Sequence, residues 1–176
     1  LYRNPVQNDF IKSNIIVKEN KKFISFCSND YLGLAHNKKV KKAAIKATKK
    51  YGTSATSSRY IVGNNSLYNE IENKVAKIYQ CQDALIFSSG YQAAIGSIPA
   101  LVGKKDLIIA DKLIHSCLVD GATLSGAKLI RYAHNDLSHL QKIIDGNREK
   151  YQGIVIISEE VFSMDGDRCD ISSLQN

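Results

Sequence analysis

Between residues 84 and 157, short apolar runs alternate with stretches of helical period, and few folds accommodate that alternation. Residues 84–88, 107–110, 128–132 and 154–157 read as strands, and 91–102, 114–124 and 137–144 read as helices. Strands separated by helices of this length need crossover connections, so the expected fold class is α/β, built on a mainly parallel sheet. Right-handed crossovers place helices on both faces of it. The last run, Gly153 to Ile157, has the β-branched content of a strand buried on both faces. It leads into Ser158-Glu-Glu-Val-Phe-Ser-Met-Asp-Gly-Asp167, and the carboxyl ends of strands in open α/β sheets are where ligands are held. Taken alone, those ten residues are explained equally well as a surface turn closed by Asp165 and Gly166.

Upstream, residues 21–28 alternate polar and apolar as a short strand does, running into the turn Asn29-Asp-Tyr-Leu-Gly-Leu34. Asn37 is placed to cap a helix that reaches Tyr51 and is stopped by Gly52, with Val40, Ala43, Ala44 and Ala47 as its buried stripe. Residues 52–65, rich in Ser, Thr, Gly and Asn, read as an ordered loop. Residues 66–79 carry Leu67, Ile71, Val75 and Ile78 at helical spacing.

The formal net charge of +7 over 176 residues comes largely from lysines, seven of them between Lys38 and Lys50. They share a helix with the apolar stripe, which makes them a solvated face, and no aromatic platform or zinc finger accompanies them. A nucleic-acid partner is therefore not expected. With no run of 18 apolar residues and no charged-then-apolar start, the chain reads as soluble, without a membrane partner, and cytoplasmic. Cys27, Cys81, Cys117 and Cys169 form no C-x-x-C pair and have no histidine grouping suited to zinc, so they are expected as ordinary thiols and no metal is expected.

The chemistry-bearing residues collect at strand-to-helix connections. Ser88-Ser-Gly-Tyr91 opens a helix, whose N-terminus offers N–H groups and positive dipole to an anion; it lacks the Gly-Lys-Ser/Thr of a P-loop and the three glycines of a dinucleotide loop. A plain tight turn is the alternative. His115 follows the next strand, the Ala133-His-Asn-Asp136 turn the one after, and Glu159 and Ser163 the last, so one rim of the sheet receives them all. There is no Gly-x-Ser-x-Gly elbow and no His-Glu-x-x-His helix, which removes serine hydrolase and zinc peptidase chemistries.

Six motifs in one order then carry a resemblance. Asn29-Asp-Tyr-Leu-Gly-Leu34, Arg59-Tyr-Ile-Val-Gly63, Phe87-Ser-Ser-Gly-Tyr91, Asp111-Lys-Leu-Ile-His-Ser116, Ala133-His-Asn-Asp136 and Glu160-Val-Phe-Ser-Met-Asp-Gly-Asp167 resemble the α-oxoamine synthases, across residues 25–167. These enzymes use pyridoxal 5′-phosphate to condense an amino acid with an acyl thioester, losing carbon dioxide. The residues around the Ala133-His-Asn-Asp136 turn are most similar to the biotin-pathway branch of the family. That branch implies L-alanine and a pimeloyl thioester, pimeloyl-CoA or a pimeloyl carrier protein, as substrates. The aminoketobutyrate, aminolevulinate and sphingoid-base branches share much of the rest.

The resemblance also implies roles. Gly90 and Tyr91 would bind the cofactor phosphate through backbone N–H groups, His115 would stack on the pyridine ring as the catalytic residue and also meet the substrate, and Ser163 would bond the ring hydroxyl. Glu159 would lie at the pocket floor. Asn29 and Arg3 would contact the substrate. Loop 52–63 departs from the Gly-rich form of the biotin-pathway branch; it is expected to cross between the subunits of a homodimer. Residues 1–24 are expected as an N-terminal segment and 25–176 as an incomplete large domain of the pyridoxal-phosphate transferase type, ending before the family's Schiff-base lysine and C-terminal domain. A non-catalytic chain that lends a wall of its site to a lysine-bearing partner is the alternative.

Overall fold

Three short strands open the chain and pair antiparallel in the order β1 (Phe10–Lys12), β2 (Ile15–Lys18), β3 (Lys21–Ile24). The structure is a computed structural model and describes residues 5, 7–12 and 14–174. Only the third of these strands is legible in the sequence, and it stops at Ile24 instead of Ser28. The β2–β3 turn is made by Glu19 and Asn20 at φ 51° and 60°, and Asp9 accepts the Glu19 N–H at 2.9 Å. Two successive left-handed residues are what a two-residue hairpin demands, and a glutamate in that conformation carries no turn signature in sequence.

The chain's contacts form two units, Leu1–Glu70 and Ile71–Asn176. Strands β1 and β2 thus group with the segment up to Glu70, because β1 pairs with β2, β2 pairs with β3, and Ser25 donates back to the Asn14 carbonyl at 2.7 Å. In the first unit, α1 (Lys38–Tyr51) is capped by the Asn37 side chain, which accepts from Lys39 and Val40 N–H, and ends at Gly52 with φ 81°. No residue of α1 is buried, however, and Val40 is 48% exposed, so the expected buried stripe is a solvent-facing one. Helical spacing marks the face that would pack; it does not supply something to pack against. Loop 52–65 contains a π-helical turn at Arg59–Gly63, and α2 (Ser66–Tyr79) follows it.

The second unit holds the alternating pattern: α3 (Gly90–Leu101), β4 (Leu107–Asp111), α4 (Ser116–Ser125), β5 (Lys128–Tyr132), α5 (Leu137–Asn147), β6 (Ile154–Ile157) and the short α6 (Ile171–Leu174). The strands are parallel in the order β5-β4-β6, with Ile109 opposite both Ile130 and Ile156. Central β4 is buried along its whole length. Its side chains alternate between faces as a pleated strand requires. Leu107 and Ile109 join a cluster with Leu140 and Ile143 of α5, while Ile108 and Ala110 join another with Ile98 of α3 and Ala122 of α4. Helices therefore cover both faces. Each fully buried leucine or isoleucine of β4 contributes roughly 1.5–3 kcal/mol.

Residues 84–88, expected as a strand, have no strand pairing. The Ile86 N–H donates instead to the Glu72 carboxylate at 3.0 Å. An apolar run supplies side chains for a strand, but a strand forms only where a neighbouring backbone accepts and donates.

Candidate active site

β4, β5 and β6 all point their carboxyl ends to one edge of the sheet. Because α3 feeds β4 through the short connection 102–106, its N-terminus returns to that same edge. Three connections and one helix start thus form a rim.

The rim is built around Asp111, the last residue of β4, whose side chain is fully buried. Its Oδ1 accepts the Leu113 N–H at 2.8 Å and the His134 ring at 2.8 Å; its Oδ2 accepts the Asn135 N–H at 2.9 Å. On the opposite side, His134 Nε2 lies 2.7 Å from Asp167 Oδ2, an oxygen that also accepts from the Asn135 amide at 2.8 Å. Burial by itself pushes the Asp111 carboxyl up, but the Leu113 and Asn135 N–H groups and the His134 ring outweigh it and hold the group below the ordinary carboxylate range. His134 is raised, first by its bond to Asp111, and then, against the opposing effect of burial, by Asp167. A ring with a carboxylate on each nitrogen is best satisfied as imidazolium, donating twice. The edge of Phe162 closes the site, its ring centroid 4.5 Å from that of His134 at 86°.

His115 caps α4. Its Nδ1 accepts the Cys117 N–H at 3.2 Å and lies 3.0 Å from Cys117 Sγ, while its backbone N–H donates to the Glu159 carboxylate. Accepting at Nδ1 leaves the ring proton on Nε2, and the ring itself is exposed. Ser163 is exposed at the tip of a turn closed by Phe162 N–H to the Asp167 carbonyl at 2.9 Å and Gly166 N–H to the Phe162 carbonyl at 2.8 Å. At the start of α3, Ser89 Oγ accepts the Gln92 N–H at 3.1 Å. The N–H groups of Gly90 and Tyr91 have no acceptor among the described residues, and the space where a Gly90 Cβ would stand is open.

The structure accordingly brings Gly90, Tyr91, His115, Glu159 and Ser163 to one edge of the second unit, with Glu159 holding the His115 backbone. Asn29 belongs to the first unit, where its Oδ1 accepts from the Tyr31 hydroxyl at 3.4 Å. Arg3 lies outside the described residues. Sequence reasoning brought the Ala133-His-Asn-Asp136 turn to the rim without a role, and it missed Asp111 and Asp167 as members of the site. An aspartate ending a central strand was the available signal. Among the described residues, no group of three or more His, Cys, Asp or Glu is arranged to hold a metal ion. No helix among them is long and apolar enough to cross a membrane. A cavity of about 360 Å³ lined by Ile144, Arg148, Tyr151 and Gly153 opens near the start of β6, away from the rim.

Comparison with known proteins agrees with this architecture. Residues 21–176 match the family Aminotransferase class I and II. A protein of Trichodesmium erythraeum provisionally named 8-amino-7-oxononanoate synthase is 46% identical over 173 residues, covering 98% of this chain and 44% of its own length. A provisionally named counterpart from Parvibaculum lavamentivorans is 42% identical over 174 residues, covering 99% and 45%. The chain thus spans less than half the length of these relatives. Among solved structures, a variant serine palmitoyltransferase of S. paucimobilis with a bound PLP–myriocin aldimine superposes with a TM-score of 0.90 at 28% identity, covering 96% of this chain and 42% of that one. The 8-amino-7-oxononanoate synthase of Francisella tularensis superposes with a TM-score of 0.72 at 36% identity, covering 85% and 40%.

Proposed function

The chain belongs to the aminotransferase class I and II family, and on that premise we propose that it is the cofactor-binding part of an α-oxoamine synthase working with pyridoxal 5′-phosphate. The donor set fits that group. Unpaired N–H groups at Gly90 and Tyr91, at the start of a 12-residue helix, suit a phosphate dianion. The exposed His115 ring offers a flat face for the pyridine, and Ser163, on a braced turn, offers a hydroxyl for the ring oxygen. The two N–H groups are the observation that carries the assignment, since a helix start whose first N–H groups have no acceptor among the described residues suits an anion, and it lies at the same sheet edge as His115 and Ser163. When bound, such a cofactor acts as an electron sink for the α-carbon of an amino acid. The work of the residues here is to hold it: Glu159 fixes the His115 backbone, and the Cys117 N–H holds the ring through Nδ1.

For the full-length protein we propose decarboxylative condensation of L-alanine with a pimeloyl thioester, carried by coenzyme A or a carrier protein, to give 8-amino-7-oxononanoate. Identities of 46% and 42% to the relatives of that provisional name support it. A sphingoid-base activity is the second possibility, favoured by the TM-score of 0.90 to serine palmitoyltransferase. Asn29 and Arg3 are proposed substrate contacts. The full-length protein is further proposed to be a cytoplasmic homodimer with loop 52–63 at the subunit boundary, where Tyr60, Ile61 and Val62 are 100%, 74% and 77% exposed.

Gly90→Pro in the full-length protein tests the phosphate site. Gly90 is the first residue of α3 and follows Ser89 in extended conformation, at φ −157° and ψ 159°, so proline is tolerated there and removes one donor. We expect it to weaken pyridoxal-phosphate affinity far more than Ser89→Ala, and equal dissociation constants for wild type and the proline variant would remove the assignment. Alanine with pimeloyl-CoA against serine with palmitoyl-CoA separates the two activities, and cofactor binding without either turnover would indicate a non-catalytic partner chain.

A further inference from the structure

Ser163 stands on a turn that side chains, not strand pairing, attach to the sheet. The ladder between β4 and β6 ends with Ala110 opposite Ile157, well before the turn begins. The turn closes on itself through the two bonds between Phe162, Gly166 and Asp167, and an isolated bridge pairs Val161 with Arg168. None of these reaches the other strands or their connections. Among the described residues, the hydrogen bonds that tie the turn to the connection after β5 are His134 Nε2 to Asp167 Oδ2 at 2.7 Å, and Asn135 Nδ2 to the same oxygen at 2.8 Å and to the Arg168 carbonyl at 3.2 Å. Phe162, 1% exposed, anchors the near side of the turn against the core and against the His134 ring, while Met164 at the tip is 83% exposed.

His134 reaches the other way as well. Its Nδ1 contacts Asp111, and the same Asp111 oxygen accepts the Leu113 N–H, two residues before His115. We propose that His134, bridging the Asp111 and Asp167 carboxylates, is a positioning residue that ties the turn bearing Ser163 to the strand end leading to His115. Resting on the cofactor contacts proposed above for those two residues, its effect is to present a ring face and a hydroxyl at a fixed separation.

The chemistry of the position explains why histidine suits it. A rigid ring with donors on opposite edges can span two carboxylates that would otherwise repel, and charge-assisted bonds to both are stronger than neutral ones. The charged groups facing the ring are Asp111 from β4 and Asp167 from the turn; the Asn135 amide and the Phe162 edge complete its surroundings. The shifts of Asp111 downward and His134 upward agree with an ion pair held in the folded state. Asn135 shares the bridge: at φ 53°, in the left-handed region that asparagine tolerates well, its N–H and amide bond the same two aspartates.

The test is made in the full-length protein with Asp167→Asn, His134→Gln and Ser163→Ala, reading hydrogen–deuterium exchange in residues 161–168 and the dissociation constant for pyridoxal phosphate. Asp167→Asn and His134→Gln are expected to accelerate exchange in that segment by about tenfold while β4 stays protected, since local opening tracks the contacts that are lost. Cofactor affinity should fall about as far as in Ser163→Ala. Should His134→Gln fail to fold with Asp111 buried, Asp167→Asn decides alone, because the Asp167 side chain is 40% exposed and asparagine has its shape. Unchanged exchange in 161–168 overturns the proposal. Accelerated exchange with undiminished affinity, where Ser163→Ala does weaken binding, also overturns it. Accelerated exchange with no effect of Ser163→Ala leaves the brace in place and removes Ser163 from the cofactor site.

Discussion

The backbone N–H of His115 donates to the Glu159 carboxylate, 44 residues further along the chain. One bond thereby joins the connection after β4 to the segment leaving β6, and it does so at the first turn of α4, where a carboxylate also meets the positive end of the helix dipole. The position of the histidine depends on an acid that belongs to a different strand.

Glu159→Ala should therefore destabilise the protein by roughly 0.5–1.5 kcal/mol, because an exposed helix-start N–H exchanges its charged acceptor for water. Glu159→Gln keeps an acceptor of the same shape and should cost less. Urea unfolding of the two variants checks the order; equal midpoints would show that the bond contributes nothing.

Gly121 of α4 marks the closest approach of α3. A Cβ there would stand 2.8 Å from the Ala94 carbonyl oxygen and 2.8 Å from Ile98 Cδ1, and one of those atoms is backbone. Gly121→Ala should raise the helix propensity of α4 and still lower stability, by about 1–3 kcal/mol of overpacking. A higher melting temperature for the alanine variant would contradict this packing.

The Asp111–His134 pair predicts a pH dependence with two sides. Asp111 is held below its ordinary value, so its stabilisation is complete above the unfolded carboxylate pKa of about 3.9 and fades as pH falls through the folded value. His134 is raised, so its stabilisation is complete below the unfolded imidazole pKa of about 6.5 and is lost as pH rises through the folded value. The bridge should be strongest between those two limits. Denaturation midpoints followed across pH should fall on the alkaline side, and His134→Gln should flatten that fall; an identical profile in the variant would detach the effect from this residue.

For the full-length protein, sedimentation should give a dimer, and Tyr60→Asp should shift it toward monomer, since a charge replaces a fully exposed ring on the loop assigned to the boundary. An active wild-type monomer at assay concentration would refute the assignment of loop 52–63.

Several local elements were legible because they depend on neighbours in the chain. Asn37 sits where a side chain can cap the helix that follows, and it does so. The alternation of strands and helices put helices on both faces of the sheet, and Leu140 of α5 shares a cluster with Ile109 of β4. The motif order was legible too, so the residues brought to the rim at Gly90, His115, Glu159 and Ser163 could be named from sequence and resemblance together.

What tertiary structure decided were the partnerships. Residues 84–88 have the side chains of a strand but pair with no strand among the described residues, and no residue of α1 is buried. The bond between His134 and Asp167 joins residues 33 apart, and that between Asp111 and His134 joins residues 23 apart. No period or propensity records those separations. Sequence determines which groups a residue can offer within reach of its own backbone; whether a carboxylate ends up charged and buried, or a turn ends up braced, depends on which distant groups the parallel register of β4, β5 and β6 carries to the same edge.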